Sequence, residues 1–154
     1  MGKEIALNGF PKQKLACWIK AIALGYGKKT GEICYVFCAD EKILELNRTY
    51  LQHDYFTDVI TFDYTEGDRI AGDIVISLPT VLRNAQEENE PFLRELLRVI
   101  IHGVLHLCGL NDKTGQEQEQ MRKEEDRALA IFLPTISNSS KIIANFTPSL
   151  SNDT

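Results

Sequence analysis

Apolar residues at Leu15, Ala16, Ile19, Ile22 and Ala23 follow the three-and-four spacing of one helical face. That stripe predicts a helix over residues 12–24, with Pro11 suited to its first turn. Upstream, residues 4–7 read as a short first strand. The β-branched and aromatic run 33–37 is a second strand, ending before Asp40, which can cap a helix over 41–51. Residues 53–56 read as a loop. Segments 59–64 and 70–77 read as strands, joined through the turn-forming Glu66-Gly67-Asp68. Ser77 and Pro79 open a helix to about residue 88, and Pro91 opens the next, which Gly109 ends. A last helix is expected from about 116 to 132. The pattern predicts an α+β fold: a small mixed sheet with helices packed over it. One domain is expected over 1–133. The remainder, 134–154, is about half Ser, Thr and Asn and reads as a mobile extension.

Composition leaves this picture intact and narrows the setting. With 154 residues, 44% hydrophobic and 25% charged, the chain suits one ordinary globular core. No apolar run approaches the ~20 residues of a membrane span. The start, Met1-Gly2-Lys3-Glu4-Ile5-Ala6, lacks a signal-peptide core, so a cytoplasmic protein is expected and the sequons at Asn47, Asn138 and Asn145 carry no meaning. Four cysteines, Cys17, Cys34, Cys38 and Cys108, read as small buried hydrophobes. Cys34 and Cys38 would stand ~13 Å apart on a strand, too far to bridge.

The informative chemistry lies at the end of the fourth expected helix. His102 and His106 are four residues apart, about 40° in angular position, so both imidazoles project from one face and can reach one metal ion. Gly109 turns the chain back, and Asp112 can bring a carboxylate to the same ion. Two imidazoles and a carboxylate suit Zn²⁺, one per chain, with a fourth position open as in catalytic sites. Two of the three histidines in the chain stand in this short stretch; His53 is the competitor for the third ligand position. The helix is zincin-like, yet the general-base position beside the first histidine in H-E-x-x-H proteases is Gly103, which argues against ordinary peptide hydrolysis.

The run His102-Gly103-x-Leu105-His106-Leu107-x-Gly109 resembles the signature of the bacterial YbeY family, single-domain metalloproteins implicated as endoribonucleases in ribosomal RNA maturation. Leu46-Asn47-Arg48-Thr49-Tyr50, Thr57-Asp58-Val59-Ile60-Thr61-Phe62 and Gly72-Asp73-Ile74-Val75-Ile76-Ser77 are similar to its other segments, in order, over roughly residues 30–130. The resemblance implies a zinc-dependent, single-strand-specific endoribonuclease acting on precursor ribosomal RNA and ribosomal particles, with no DNA or membrane partner. Two positions depart from the family pattern. Asp112 stands where a third histidine is usual, and Leu51 where an arginine thought to serve RNA cleavage is common. Arg48, three residues before Leu51, would share its face on an α-helix and is the candidate catalytic arginine.

A net charge of −5 runs against phosphate binding. Glu117, Glu119, Glu124, Glu125 and Asp126 read as a solvated helix face; Lys12, Lys14, Lys20, Lys28 and Lys29 could form a basic patch. Asp58 and Asp73, each beside a strand, read as structural acceptors of backbone N–H groups, with the alternative that one is the base Gly103 cannot be. A metal at the site would polarise a phosphoryl oxygen or activate water, and the attacking oxygen could be water or a ribose 2′-OH. The rival classes are a non-catalytic zinc-containing ribosome-assembly factor and a metallopeptidase with an unusual base.

Overall fold

The computed structural model describes residues 12–51 and 57–134. Their order is α1 (Lys12–Gly25), β1 (Lys29–Cys38), α2 (Asp40–Leu46), a π-helical turn (Asn47–Leu51), β2 (Val59–Asp63), β3 (Arg69–Ser77), α3 (Leu78–Glu87), α4 (Phe92–Leu107) and α5 (Gly115–Phe132). The strands form one mixed sheet in the order β1-β3-β2. β3 is central, parallel to β1 and antiparallel to β2. Its position accounts for its composition: Ile70, Ile74 and Ile76 are fully buried. The expected α+β architecture is the one observed. The strand expected at 4–7, the loop at 53–56 and residues 135–154 lie outside the described residues.

α4 is the hub. It touches β2 and β3 as well as α1, α3 and α5, so its sequence is apolar on nearly every side. Leu96, Leu97, Ile100, Ile101, Val104 and Leu105 are completely buried. Close approach to the sheet depends on Gly103: a Cβ there would stand 2.9 Å from Ile74 Cδ1 and 3.1 Å from Thr61 Oγ1. α5 starts at a capping box, in which the Thr114 hydroxyl accepts from the Glu117 N–H and the Glu117 carboxylate accepts from the Thr114 N–H. Its far end is fixed to α1, where Trp18 stacks on Phe132 with ring centroids 4.4 Å apart. The Trp18 indole N–H also donates to the Ala128 carbonyl at 2.9 Å.

Several local expectations are corrected. β1 runs longer than 33–37 because Lys29 and Thr30 pair with Arg69 and Ile70; backbone pairing extends a strand without needing apolar side chains. The helix expected over 41–51 changes at Asn47 into the π-helical turn. Asp40 does not cap it; Ala39 occupies that position and makes no side-chain cap bond. The Asp40 carboxylate instead accepts from Ser77 Oγ (2.5 Å), Thr80 Oγ1 (2.7 Å) and Arg83 Nη2 (2.9 Å), tying α2 to α3. Burial works against its charge, but those three donors hold its pKa below the usual carboxylate value. All four cysteines are unpaired, and the expectation of burial holds only for Cys38 and Cys108; Cys17 and Cys34 are exposed.

Candidate metal centre

His102 and His106 are the polar breaks in the otherwise apolar last two turns of α4. Both rings are half-buried, with centroids 4.7 Å apart and planes at 81°. The backbone carbonyl of Val104 accepts from the Cys108 N–H and that of Leu105 from the Leu110 N–H, closing the helix end. Gly109 takes the left-handed conformation, φ 105°, that reverses the chain. Asp112 returns over the histidines as a result.

The three side chains present their ligand atoms to one point. His102 Nε2 lies 3.1 Å from His106 Nε2 and 3.2 Å from Asp112 Oδ2, and His106 Nε2 lies 3.5 Å from the same oxygen. Zinc bonds of about 2.0–2.1 Å in a tetrahedron imply ligand–ligand edges of about 3.3 Å, so the spacing fits. The outer nitrogens are engaged elsewhere. His106 Nδ1 is 3.0 Å from the Leu110 carbonyl. A carbonyl only accepts, so this ring carries a proton on Nδ1 and, when neutral, a lone pair on Nε2. His102 Nδ1 is 2.7 Å from Glu125 Oε2. Lone pairs converging with a carboxylate oxygen repel one another unless a cation or a proton stands between them, so this donor set suits a divalent metal. The Asp112 carboxylate is 37% exposed, which leaves one side open to solvent.

Beside these side chains lies a cavity of about 210 Å³ whose walls include Asp58, Glu95, Arg98, His102, Asp112 and Glu125. Asp58 accepts from the Ser77 N–H through its main-chain carbonyl at 2.9 Å and from the Asn84 side-chain amide through its carboxylate at 3.4 Å. The residue is also part of the cavity wall. Burial raises its pKa, partly offset by the charge of His102. Asp73 takes no part in that wall and accepts from the Tyr64 hydroxyl at 3.3 Å. Glu95, buried on α4, has a pKa pushed up to about 7 by desolvation and by the charge of Glu88. For His102, burial opposes the charged ring, but the hydrogen bond and charge of Glu125 outweigh it and raise the pKa.

Arg48 is exposed on the π-helical turn and is not among the cavity-lining residues. The wider turn also alters the angular relation to Leu51 that an α-helix would give. His53 lies outside the described residues. The acidic run on α5 is not uniformly solvated as expected. Glu119 and Asp126 are exposed, whereas Glu125 is 5% exposed and faces the site. Its burial has a visible cause: Met121, Ala128, Leu129 and Phe132 are the buried residues around it, and position 125 falls four after 121 and four before 129 on that stripe.

The fold and the site define a class: an α+β protein with a His-x3-His pair on a central helix, closed by a carboxylate after a glycine turn into a group that could hold a metal ion. The profile of the family described as Endoribonuclease YbeY matches residues 7–132, and the chain belongs to that family. It is 61% identical over 128 residues to the Endoribonuclease YbeY of Phocaeicola vulgatus, covering 83% of this chain and 93% of the relative. The Endoribonuclease YbeY of Parabacteroides distasonis is 59% identical over 130 residues, covering 84% and 92%. The fold resembles the solution structure of TM1509 from Thermotoga maritima, with a TM-score of 0.64 at 23% identity over 94% of this chain and 95% of that one. No described helix is long and apolar enough to cross a membrane.

Proposed function

We propose that this protein is a zinc-dependent, single-strand-specific endoribonuclease that acts in the cytoplasm on precursor ribosomal RNA and ribosomal particles, in maturation and in ribosome assembly or quality control. Family membership supports the reaction class. The observation that carries the metal part is the convergence of His102 Nε2, His106 Nε2 and Asp112 Oδ2 within 3.5 Å of one another. Those three residues would hold one ion per chain. Bound there, a divalent ion supplies Lewis-acid polarisation of a phosphoryl oxygen. Gly103 has no side chain to act as base, and its position faces Ile74 and Thr61 of the sheet. Asp58, in the wall shared with His102 and Asp112, would be the candidate to accept the proton of the attacking oxygen. Arg48 would offset the charge that builds on the phosphoryl oxygens if bound RNA reaches the π-helical turn.

The test is cleavage of single-stranded and duplex RNA by purified protein beside His102→Ala, with metal content and melting temperature measured on both. Single-stranded RNA should be cut by the wild type only, with near-stoichiometric zinc. Equal cleavage by the two proteins would mean a contaminating nuclease. A folded, zinc-bound wild type without RNA cleavage would favour the non-catalytic assembly factor, and turnover of casein would favour a peptidase. A 2′,3′-cyclic phosphate at the cut identifies 2′-OH attack, whereas a 5′-phosphate identifies water. Asp58→Asn with unchanged melting temperature and metal but cleavage reduced by about a hundredfold or more supports Asp58 as base; retained cleavage with lowered stability makes it structural.

A further inference from the structure

Arg98 and Glu125 form a buried pair in the wall of the cavity beside His102, with Glu125 at the Nδ1 edge of that ring. Each residue is about 5% exposed, a costly place for charge unless its partners are fixed. The two oxygens of Glu125 are committed to different neighbours. Oε1 accepts from Arg98 Nη1 at 3.1 Å, and Oε2 stands 2.7 Å from His102 Nδ1. Arg98 is held in turn by Asp126, whose Oδ1 accepts from Nη2 at 2.7 Å, and has Glu95 Oε1 3.9 Å from its Nε.

Starting from the metal-binding reading of His102, we infer that Arg98 and Glu125 are positioning residues that set the tautomer of that ring, and that both Glu125 oxygens are needed to do it. Arg98 donates to Oε1, and its positive charge favours the ionised form of Glu125, which accepts at both oxygens. His102 must then carry its proton on Nδ1 and present a lone pair at Nε2, the atom that faces His106 and Asp112. The hydrogen bond from Nδ1 also orients the ring and raises its basicity as a ligand.

Glu125→Gln separates this role from simple space filling. The amide has one acceptor oxygen, and Arg98 claims it because a guanidinium can take nothing else. The amide N–H group is then left facing His102 Nδ1, which must accept. The ring proton moves to Nε2 and blocks the ligand atom. Removing Arg98 in addition frees the amide to turn its oxygen toward His102 and restores the original tautomer. A second substitution therefore repairs the first, which a merely structural ion pair would not do.

Zinc affinity is to be measured by competition with a chromophoric chelator, and the His102 tautomer by nitrogen-15 NMR of metal-free protein at a pH where the ring is neutral. Glu125→Gln should bind zinc about 10–100-fold more weakly than wild type, with the His102 proton on Nε2. Arg98→Met/Glu125→Gln should regain at least severalfold of that loss, with the proton back on Nδ1. Asp126→Asn, which touches Arg98 but neither Glu125 oxygen, should stay within about twofold of wild type. Unchanged affinity and tautomer in Glu125→Gln overturns the inference, as does a double variant that binds more weakly than the single one. If either variant fails to fold, the wild-type spectrum decides: a proton on Nε2 in the metal-free protein refutes it. A wild type that binds no zinc yet holds the proton on Nδ1 removes the metal reading and leaves the tautomer assignment standing.

Discussion

Gly103 and Ile74 are so closely packed that a Cβ on the glycine would come within 2.9 Å of the Ile74 Cδ1 atom. Ile74 is fully buried in the central strand, so it has little room to move. The histidine helix can lie this deep on the sheet because the residue after His102 has no side chain. Gly103→Ala should gain roughly 0.5–1 kcal/mol from helix propensity and lose about 1–3 kcal/mol to overpacking. A net loss of stability is expected in urea titrations, accompanied by weaker metal binding as His102 shifts. Gly103→Glu, which would recreate the protease base position, should fail to fold.

Asp112 is expected to be a ligand rather than a bystander. Asp112→Ala should weaken zinc binding markedly in a chelator competition, while Asp112→His should retain it, since imidazole is an equally competent zinc ligand. The competing residue is His53. Should His53→Ala lose the metal and Asp112→Ala keep it, the third ligand is reassigned.

Asp40 joins α2 to α3 through Ser77, Thr80 and Arg83. Asp40→Ala leaves those donors without their acceptor and should cost about 1–3 kcal/mol in chemical denaturation. The pKa of Asp40 is lower in the folded state than its reference value of 3.8. Its contribution is therefore present above that value and lost as pH falls through the lower, folded-state one. The wild type should lose its stability margin over Asp40→Ala at strongly acid pH.

Glu95 should act in the opposite sense. Its folded-state pKa of about 7 stands above the reference 4.5, with desolvation and the Glu88 charge as the leading causes. Between those values the folded protein binds more protons than the unfolded chain, so this group makes stability fall as pH rises. Its contribution is complete below about pH 4.5 and gone once pH passes about 7. Glu95→Gln should flatten the melting temperature of the protein across that range; an unchanged slope would mean that Glu95 ionises normally.

The pattern of α4 made much of the site legible in sequence. A four-residue histidine spacing, a glycine suited to positive φ and a nearby carboxylate are local relations, governed by helix geometry and turn conformation, and they placed His102, His106 and Asp112 together. The mixed sheet was legible too, since β2 and β3 carry the β-branched runs Val59-Ile60-Thr61 and Ile74-Val75-Ile76 on either side of a turn-forming segment. The roles of Asp40 and Glu125 were not. Asp40 looked like a local cap, yet its partners lie 37–43 residues away, and a carboxylate takes whichever donors folding brings to it. Glu125 belonged to an acidic run, and only the packing of α5 against α4 buries it beside His102, 23 residues distant. Sequence pointed to the atoms that could bind a metal, because their spacing follows from one helix and the glycine turn that ends it. Tertiary structure decided what stands behind those atoms, because a buried charge must find its partner across the fold, and chain order does not name that partner.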